Sequence, residues 1–460
     1  MFGLCWLSYK DEVKCRMKKA LIITYYWPPS GGSGVQRWLK FVKYMREFGW
    51  EPIVYTPSNS EMPVIDASLE KDIPKNIVVL KQPIWEPYSI YKMFIGQKKS
   101  QKINAAFLSE NEKSKYSEKF SVWLRGNFFI PDARKFWVKP SVKYLSDYLK
   151  KNPVHIIVSS GPPHSMHLIA MQLKNKFNIP WIADFRDPWT NIDFYQDLML
   201  RSFADKKHKR LELEVLKNAD SVISVGKTMS EEFEKIIFDA KIKSENKNKF
   251  RVITNGFDSD DVSSEKIMLD KKFSIAHIGT MAKSRNPKAF WKVLGELIQE
   301  NKTFENDLEI KLVGKIDISI LKNIELFKLE KQLKKIDYLS HNEIVKVQQQ
   351  SQILLLVLNN THNAKSILTG KMFEYLSAQR PILCIGPKDG DAAQIIEETQ
   401  SGVTINFEDE VALKKIILIY YDLFKKNQLQ TANTHIEKYS RKNLTKNLCE
   451  MMDEVVSSKK

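Results

Sequence analysis

The chain has 460 residues, 43% hydrophobic and 28% charged, the composition of a folded globular protein with room for two or three domains. Its net charge of +17 favours anionic partners such as nucleotides or an anionic membrane surface. The lysines are spread along the whole chain, which argues against a nucleic-acid partner, and no apolar run reaches spanning length, so the chain is expected to lie on a membrane at most.

Residues 1–16 read as a disordered extension, because Met17-Lys-Lys-Ala-Leu-Ile-Ile makes a natural start. Ala20–Thr24 is a short apolar strand, broken by Tyr25–Ser30. Gly31, Gly32, Ser33 and Gly34 follow. Val35, Trp38, Leu39, Val42 and Met45 then mark one apolar face of a helix, and Gly49 caps it. Trp50–Thr56 is a second strand. This is the opening unit of a doubly wound sheet. Its glycines suit the approach of a ligand to backbone N–H groups, or serve only a tight turn. The spacing is not G-x-G-x-x-G, and no acidic residue ends the second strand, so a nicotinamide or flavin dehydrogenase is disfavoured.

Residues 58–130 carry weak periodicity. Asn76–Leu80 reads as a strand, and Lys98–Lys102 and Ser109–Lys119 as a polar surface loop. Pro131–Trp137 forms a loop carrying Asp132 and Arg134, before a helix from about Lys139 to Lys151. Two strand–loop–helix units come next. His155–Val158 leads into the loop Ser159–His164, and Pro180–Ala183 into Asp184–Trp189. A charged helix covers Phe203–Asn218, Ser221–Val225 and Phe250–Thr254 are strands, and Ser259–Lys272 has linker composition.

A second alternating set then begins. Phe273–Ile278, Leu308–Val313, Asp337–Leu339, Ile353–Leu358, Pro381–Ile385 and Gly402–Ile405 read as strands. Pro287–Glu300, His341–Gln350 and Gly370–Ala378 read as helices, and Val411 onward is mostly helical. The domains expected are 17–258, a linker 259–272, 273–425, and helices over 426–460 that pack back toward the first domain. Cys5, Cys15, Cys384 and Cys449 have neither CxxC nor metal-ligand spacing and read as reduced thiols of a cytoplasmic protein.

Ligands of such sheets bind at the C-terminal ends of strands. In the first half, Asp184, Arg186 and Asp187 could orient a polyhydroxylated substrate and an anion, or merely cap a loop. His164 reads equally as a cap, a packing residue or a catalyst. In the second half, Gly279 and Thr280 end a strand, and Lys283, Arg285 and Lys288 precede a helix, a cationic setting for a diphosphate. Gly370 opens a helix, Lys371 could pair with phosphate, and Glu374 could bind a ribose diol. A solvated Glu–Lys pair is the alternative.

Pro28–Gly34, Asp184–Trp189, Asn255–Asp258 and Gly370–Tyr375 together make the chain resemble glycosyltransferases of the GT-B type, and among them the retaining family 4. The resemblance covers most of 17–455. It implies an α/β fold of two Rossmann-like, doubly wound parallel-sheet domains facing across a cleft. It implies transfer from a UDP- or GDP-linked sugar to a glycan or lipid-linked acceptor, in polysaccharide, lipopolysaccharide or glycolipid synthesis, with retention. The donor would bind the C-terminal domain and the acceptor the N-terminal one, with no metal and no cofactor, in the cytoplasm or on the inner membrane face. There are departures. Ser366 stands where the family usually carries the first of two glutamates, Thr280 replaces an arginine, and Arg186 corresponds to a histidine. A non-catalytic nucleotide- or glycan-binding protein and an epimerase of the same fold are the competing readings.

Overall fold

A strand that reads as continuous Val, Ile and Leu cannot face water on either side, so helices must cover both faces of its sheet. The computed structural model describes residues 17–60, 62, 65–86, 115–242, 248–261, 267–337 and 339–459 and has this arrangement twice. Residues 1–16 and Lys98–Lys102, with Cys5 and Cys15, lie outside the described residues, as does most of Ser109–Lys119.

The first unit holds 17–225, 230–253 and 444–460. Among the described residues its parallel sheet has seven strands: β1 (Lys18–Ile23), β2 (Trp50–Pro57), β3 (Val78–Gln82), β4 (Ile156–Gly161), β5 (Trp181–Phe185), β6 (Ser221–Ser224) and β7 (Phe250–Val252), in the order β3-β2-β1-β4-β5-β6-β7. The helix Ser33–Met45 buries all five residues of its predicted face. The last helix, Arg441–Ser457, adds Leu444, Leu448, Met452 and Val455 to the same core. Its Asp453 accepts from the Trp50 indole at 3.0 Å and pairs with Lys18 at 2.8 Å.

The second unit holds 226–229 and 254–443. Its strands are β8 (Phe273–Ile278), β9 (Leu308–Val313), β10 (Leu333–Ile336), β11 (Ile353–Val357), β12 (Ile382–Ile385) and β13 (Gly402–Ile405), in the order β10-β9-β8-β11-β12-β13 and all parallel. Side chains alternate across the sheet. Phe273 and Ile275 join one apolar cluster, Ala276 and Ile278 the other.

The elements depart from the sequence reading in several places, and Lys115–Lys119, read as loop, opens the helix Lys115–Phe128. The helix expected from Lys139 starts at Lys135, and Pro140 lies inside it, not in its first turn. The strand expected at Asp337–Leu339 is β10, which ends at Ile336. Pro287 caps the helix Lys288–Glu300 and is not its first residue. Within the expected linker, Asp270 forms an ion pair with Lys311 of β9 and accepts from Ser274 Oγ at 2.6 Å, so this part is packed against the second sheet.

In each sheet the strand order reverses once, between β1 and β4 and between β8 and β11. The loops leaving these strands diverge and open a crevice at the carboxyl end of the sheet, where ligands of doubly wound folds bind.

Candidate active site

The crevice of the second unit is built by β8 and by the helix Gly370–Ala378 that follows β11. Tyr375 Oη accepts from the Ile278 N–H at 3.0 Å and so fixes the helix against the strand end. Gly279 then turns the chain at φ +104°. The side it leaves empty is taken by Lys371. A Cβ at 279 would stand 2.5 Å from Lys371 Cε and 2.8 Å from Nζ. Lys371 Nζ donates to the Thr280 carbonyl at 3.3 Å and faces His277 Nε2 at 3.2 Å. Arg285 donates to the same Thr280 carbonyl at 3.4 Å, and its Nε to Asn359 Oδ1 at 2.6 Å. Two cations therefore converge on one turn. Burial, and then the charge of Arg285, pull the Lys371 ammonium down to about 7, while Glu374 acts in the other direction.

The helix beginning at Gly370 has an extended N-cap, Thr369, with no side-chain cap bond and no acidic residue in its first turn. Its first amide groups and the positive end of its dipole are thus uncompensated from within the helix. The Thr369 hydroxyl is buried and has no partner among the described residues. No atom lies within 4 Å of the direction a Gly370 Cβ would take, so this terminus opens onto space. Glu374, one turn on, is half-buried and accepts from Gln348 Nε2 at 3.3 Å. Ser366 points its hydroxyl into its own loop, onto the Asn363 carbonyl at 2.9 Å. The structure thus gathers Gly279, Thr280, Arg285, Gly370, Lys371 and Glu374 around the two elements. Lys288 is exposed at the start of its helix.

In the first unit, Asp184 is completely buried. Arg37 donates to its Oδ1 at 2.8 Å, the Trp38 indole to Oδ2 at 2.8 Å, and Ser160 Oγ to Oδ2 at 3.0 Å. Burial pushes this carboxyl up, but Arg37 and the hydrogen bonds outweigh it, so it titrates below the usual range. Leaving either charge alone there would cost about 3–5 kcal/mol. The expectation that Asp184 orients a substrate is corrected by this geometry. Its oxygens are saturated within the core, and it holds the helix Ser33–Met45 to β5.

Arg186 is a pin between loops. Its Nη1 donates to the Gly34 carbonyl at 2.9 Å, its backbone N–H to Gly161 O at 2.9 Å, and its Nη2 to Pro162 O. A Cβ at Gly34 would meet Nη1 at 2.8 Å, so Gly34 makes room for this contact. The pin joins the loops after β1, β4 and β5, with Gly31 and Gly34 partly exposed and Gly32 exposed beside it. Ser33 is the first residue of the helix. Asp187, next along, is exposed.

His164 is buried at the N-cap of the helix Ser165–Phe177 and stacks on Trp189, centroids 4.4 Å apart and planes 3° from parallel. Its Nδ1 has no partner among the described residues. Burial, helped by His167, holds it neutral far below its ordinary range. Ser159 Oγ accepts from the Trp181 indole at 2.8 Å and is hydrogen-bonded with His167 Nδ1 at 2.8 Å. Asp132 accepts from the Ser165 N–H at 2.9 Å and caps this helix, and Arg134 pairs with Glu86 at 2.8 Å. The Pro131–Trp137 segment, read as a loop, is therefore a latch that runs into the helix at Lys135. His277, Asn359 and Thr369 were not singled out in the sequence. A histidine inside a largely apolar strand, just ahead of Gly-Thr, is the one signal that could have found the first.

Among the described residues no helix is long and apolar enough to cross a membrane, and no group of three or more His, Cys, Asp or Glu is placed to hold a metal. Cys384 and Cys449 are buried free thiols.

By sequence, the chain matches no protein-family model and no curated protein. By structure it is similar to a glycosyltransferase from Rickettsia africae ESF-5, at 14% identity and TM-score 0.58, over 96% of this chain and 99% of that one. It is similar to HepE of Anabaena in complex with UDP, at 12% identity and TM-score 0.60, over 95% and 100%. It is also similar to WaaG, a glycosyltransferase of lipopolysaccharide biosynthesis, at 12% identity and TM-score 0.54, over 94% and 99%. The chain has the GT-B fold shared by these glycosyltransferases, two Rossmann-like parallel-sheet units, as the resemblance implied.

Proposed function

We propose that this chain is a glycosyltransferase. It moves a sugar from a UDP- or GDP-linked donor to a glycan or lipid-linked acceptor of surface polysaccharide or glycolipid synthesis, with retention at the anomeric carbon. The observation that carries this reading is the convergence of Lys371, Arg285 and the open helix terminus at Gly370 on one turn at the strand-order reversal of the second unit. Two cations and free N–H groups there suit a diphosphate. The neighbouring fold with UDP bound supports a nucleotide ligand.

In the reaction the bond from the anomeric carbon to the diphosphate oxygen breaks, and a bond to an acceptor hydroxyl oxygen forms. The hydroxyl proton leaves with the diphosphate. Charge grows on the leaving oxygen, and Lys371, Arg285 and the helix dipole are fixed where it grows, so their stabilisation costs no reorganisation. This lets the chain's own cations do what a metal would otherwise do, and we infer that none is required. Glu374 takes the ribose diol. In the first unit the exposed Asp187 and the pinned Gly31–Gly34 loop take the acceptor, and Arg186, Asp184 and His164 hold that surface in shape. Exposed aromatic and basic side chains of the same unit dock it on an anionic membrane face.

Thermal shift and calorimetry with UDP and GDP test the reading. One of the two is expected to stabilise the protein. Glu374→Ala is expected to lose about 1.5–3 kcal/mol of binding, the worth of a hydrogen bond to a charged group. Equal shifts in variant and wild type would remove Glu374 from the site, and no shift with either nucleotide would remove the site itself.

A further inference from the structure

One buried titratable side chain of the second unit has no part in the chemistry above. His277 lies on the central strand β8 and is 1% exposed. An imidazole there pays for desolvation that a leucine would not. Pairing between β8 and β11 runs through Ile275–Ile353 and Ala276–Leu354, and one residue on, the ring itself makes the link. Its Nδ1 is 3.0 Å from the Leu355 carbonyl. A carbonyl only accepts, so Nδ1 carries the proton and Nε2 presents its lone pair. That lone pair faces Lys371 Nζ at 3.2 Å.

We propose that His277 is a positioning residue for the diphosphate site. As a neutral acceptor, locked in one tautomer by Leu355, it holds the Lys371 ammonium in the space over Gly279. An ammonium has three hydrogens. His277 Nε2 and the Thr280 carbonyl take two from behind, and the third is left for a phosphate oxygen. The inference rests on the diphosphate reading of this site.

The groups facing Lys371 are His277 and Thr280 from β8 and its turn, Arg285 from the following turn, and Glu374 on its own helix. Burial, and then Lys371 itself, keep His277 down at about 3, so it stays an acceptor at every working pH. Lys371, at about 7, is the group that titrates. Binding a diphosphate favours its protonated form. Affinity must therefore fall as pH rises above about 7, and removing the Nε2 acceptor must move that fall to lower pH.

The experiment follows UDP and GDP affinity by calorimetry from pH 6 to 9, together with the Lys371 ¹³Cε resonance in the ligand-free protein. It uses the full chain as wild type, His277→Phe, His277→Ala and His277→Gln, whose amide oxygen can stand near the place of Nε2. His277→Phe is expected to bind about tenfold more weakly at pH 7.5, the loss of a hydrogen bond to a charged group. Both the affinity midpoint and the resonance midpoint should move to lower pH, and His277→Gln should move them back. His277→Ala replaces the Phe variant should that one not fold. A merely structural role would lower stability and leave both midpoints in place, which would overturn the proposal. Should wild type bind neither nucleotide, the diphosphate reading fails, and the resonance alone decides whether His277 holds Lys371.

Discussion

A methyl group at position 279 would meet Lys371 and would have to be held at φ +104°, a backbone that costs an L-residue about 1–2 kcal/mol. Gly279→Ala is therefore expected to leave the second unit folded but to displace the ammonium. Affinity for the bound nucleotide should fall about tenfold or more, the worth of one hydrogen bond to a charged group. Calorimetry alongside thermal melting checks this, and an unchanged affinity in a stable variant would show that Lys371 does not act from that position. At this scale the sequence was legible where a residue type is rare for backbone reasons. Gly279, Gly370 and Gly34 stand at strand ends and helix starts, and the cations beside them could be grouped by proximity along the chain. It was not legible where the partner is remote. Asp184 read as a carboxylate beyond a strand that could orient a substrate or cap a loop, and nothing local announced that Arg37 and Trp38, on another element, would saturate it. His277 was hidden for the same reason, since its two partners lie on β11 and on the helix after it.

The loop after β5 rests on the helix Ser202–Asn218 through a buried carboxyl. Glu212 accepts from Thr190 Oγ1 at 2.5 Å and from the Thr190 N–H at 3.3 Å. Burial raises it to about 7 against these hydrogen bonds. Its folded value lies above its unfolded one, so the folded state binds the extra proton between about 4.5 and 7. The stability this confers is complete below about 4.5 and is lost as pH rises through 7. Glu212→Gln, whose amide oxygen can accept from the Thr190 N–H while its NH2 donates to Thr190 Oγ1, removes the charge, should flatten this dependence and should gain on the order of 2–3 kcal/mol at pH 8. Urea midpoints at pH 5 and pH 8 measure it, and parallel pH profiles in both proteins would refute it. Elements were the most legible level. Apolar runs bounded by Gly and Pro gave most strands, because a strand between two helical layers has no polar face to confuse the pattern. The edge strand β10 was misplaced because its sequence, Leu-Lys-Lys-Ile, lacks that run. The helix at Lys135 was begun late because Pro131–Trp137 was read as a loop.

Across the whole molecule the charge of +17 has a local counterpart in the first unit. Trp85, Phe120, Phe128, Phe136 and Phe203 are exposed there. Trp85 meets Phe136 at 5.0 Å, Phe128 meets Phe203 at 6.4 Å, and both Phe128 and Phe120 reach Trp123 at 5.7 Å. Lys135 lies over Phe129 and Phe136, and Arg201 over Trp123. Rings beside cations are the chemistry of a membrane interface. Sedimentation with vesicles rich in anionic lipid should carry the protein down at low salt and release it at high salt, because each basic residue near such a surface is worth about 1 kcal/mol and is screened. Phe128→Ser with Phe136→Ser should weaken binding at low salt. Absence of the protein from the low-salt pellet would refute the docking surface.

The last helix of the chain fills the core of the first unit, with Leu448 and Met452 completely buried and Trp50 bonded to Asp453. The main part of the second unit, 254–443, is thus spliced into the first as a parenthesis that the chain opens and later closes. During synthesis the inner sheet has all its strands before the outer unit has its last helix. Until that helix has been made, the first-made sheet shows bare apolar surface around Trp50. The unit that is made first can therefore complete its core only after the second unit has been made.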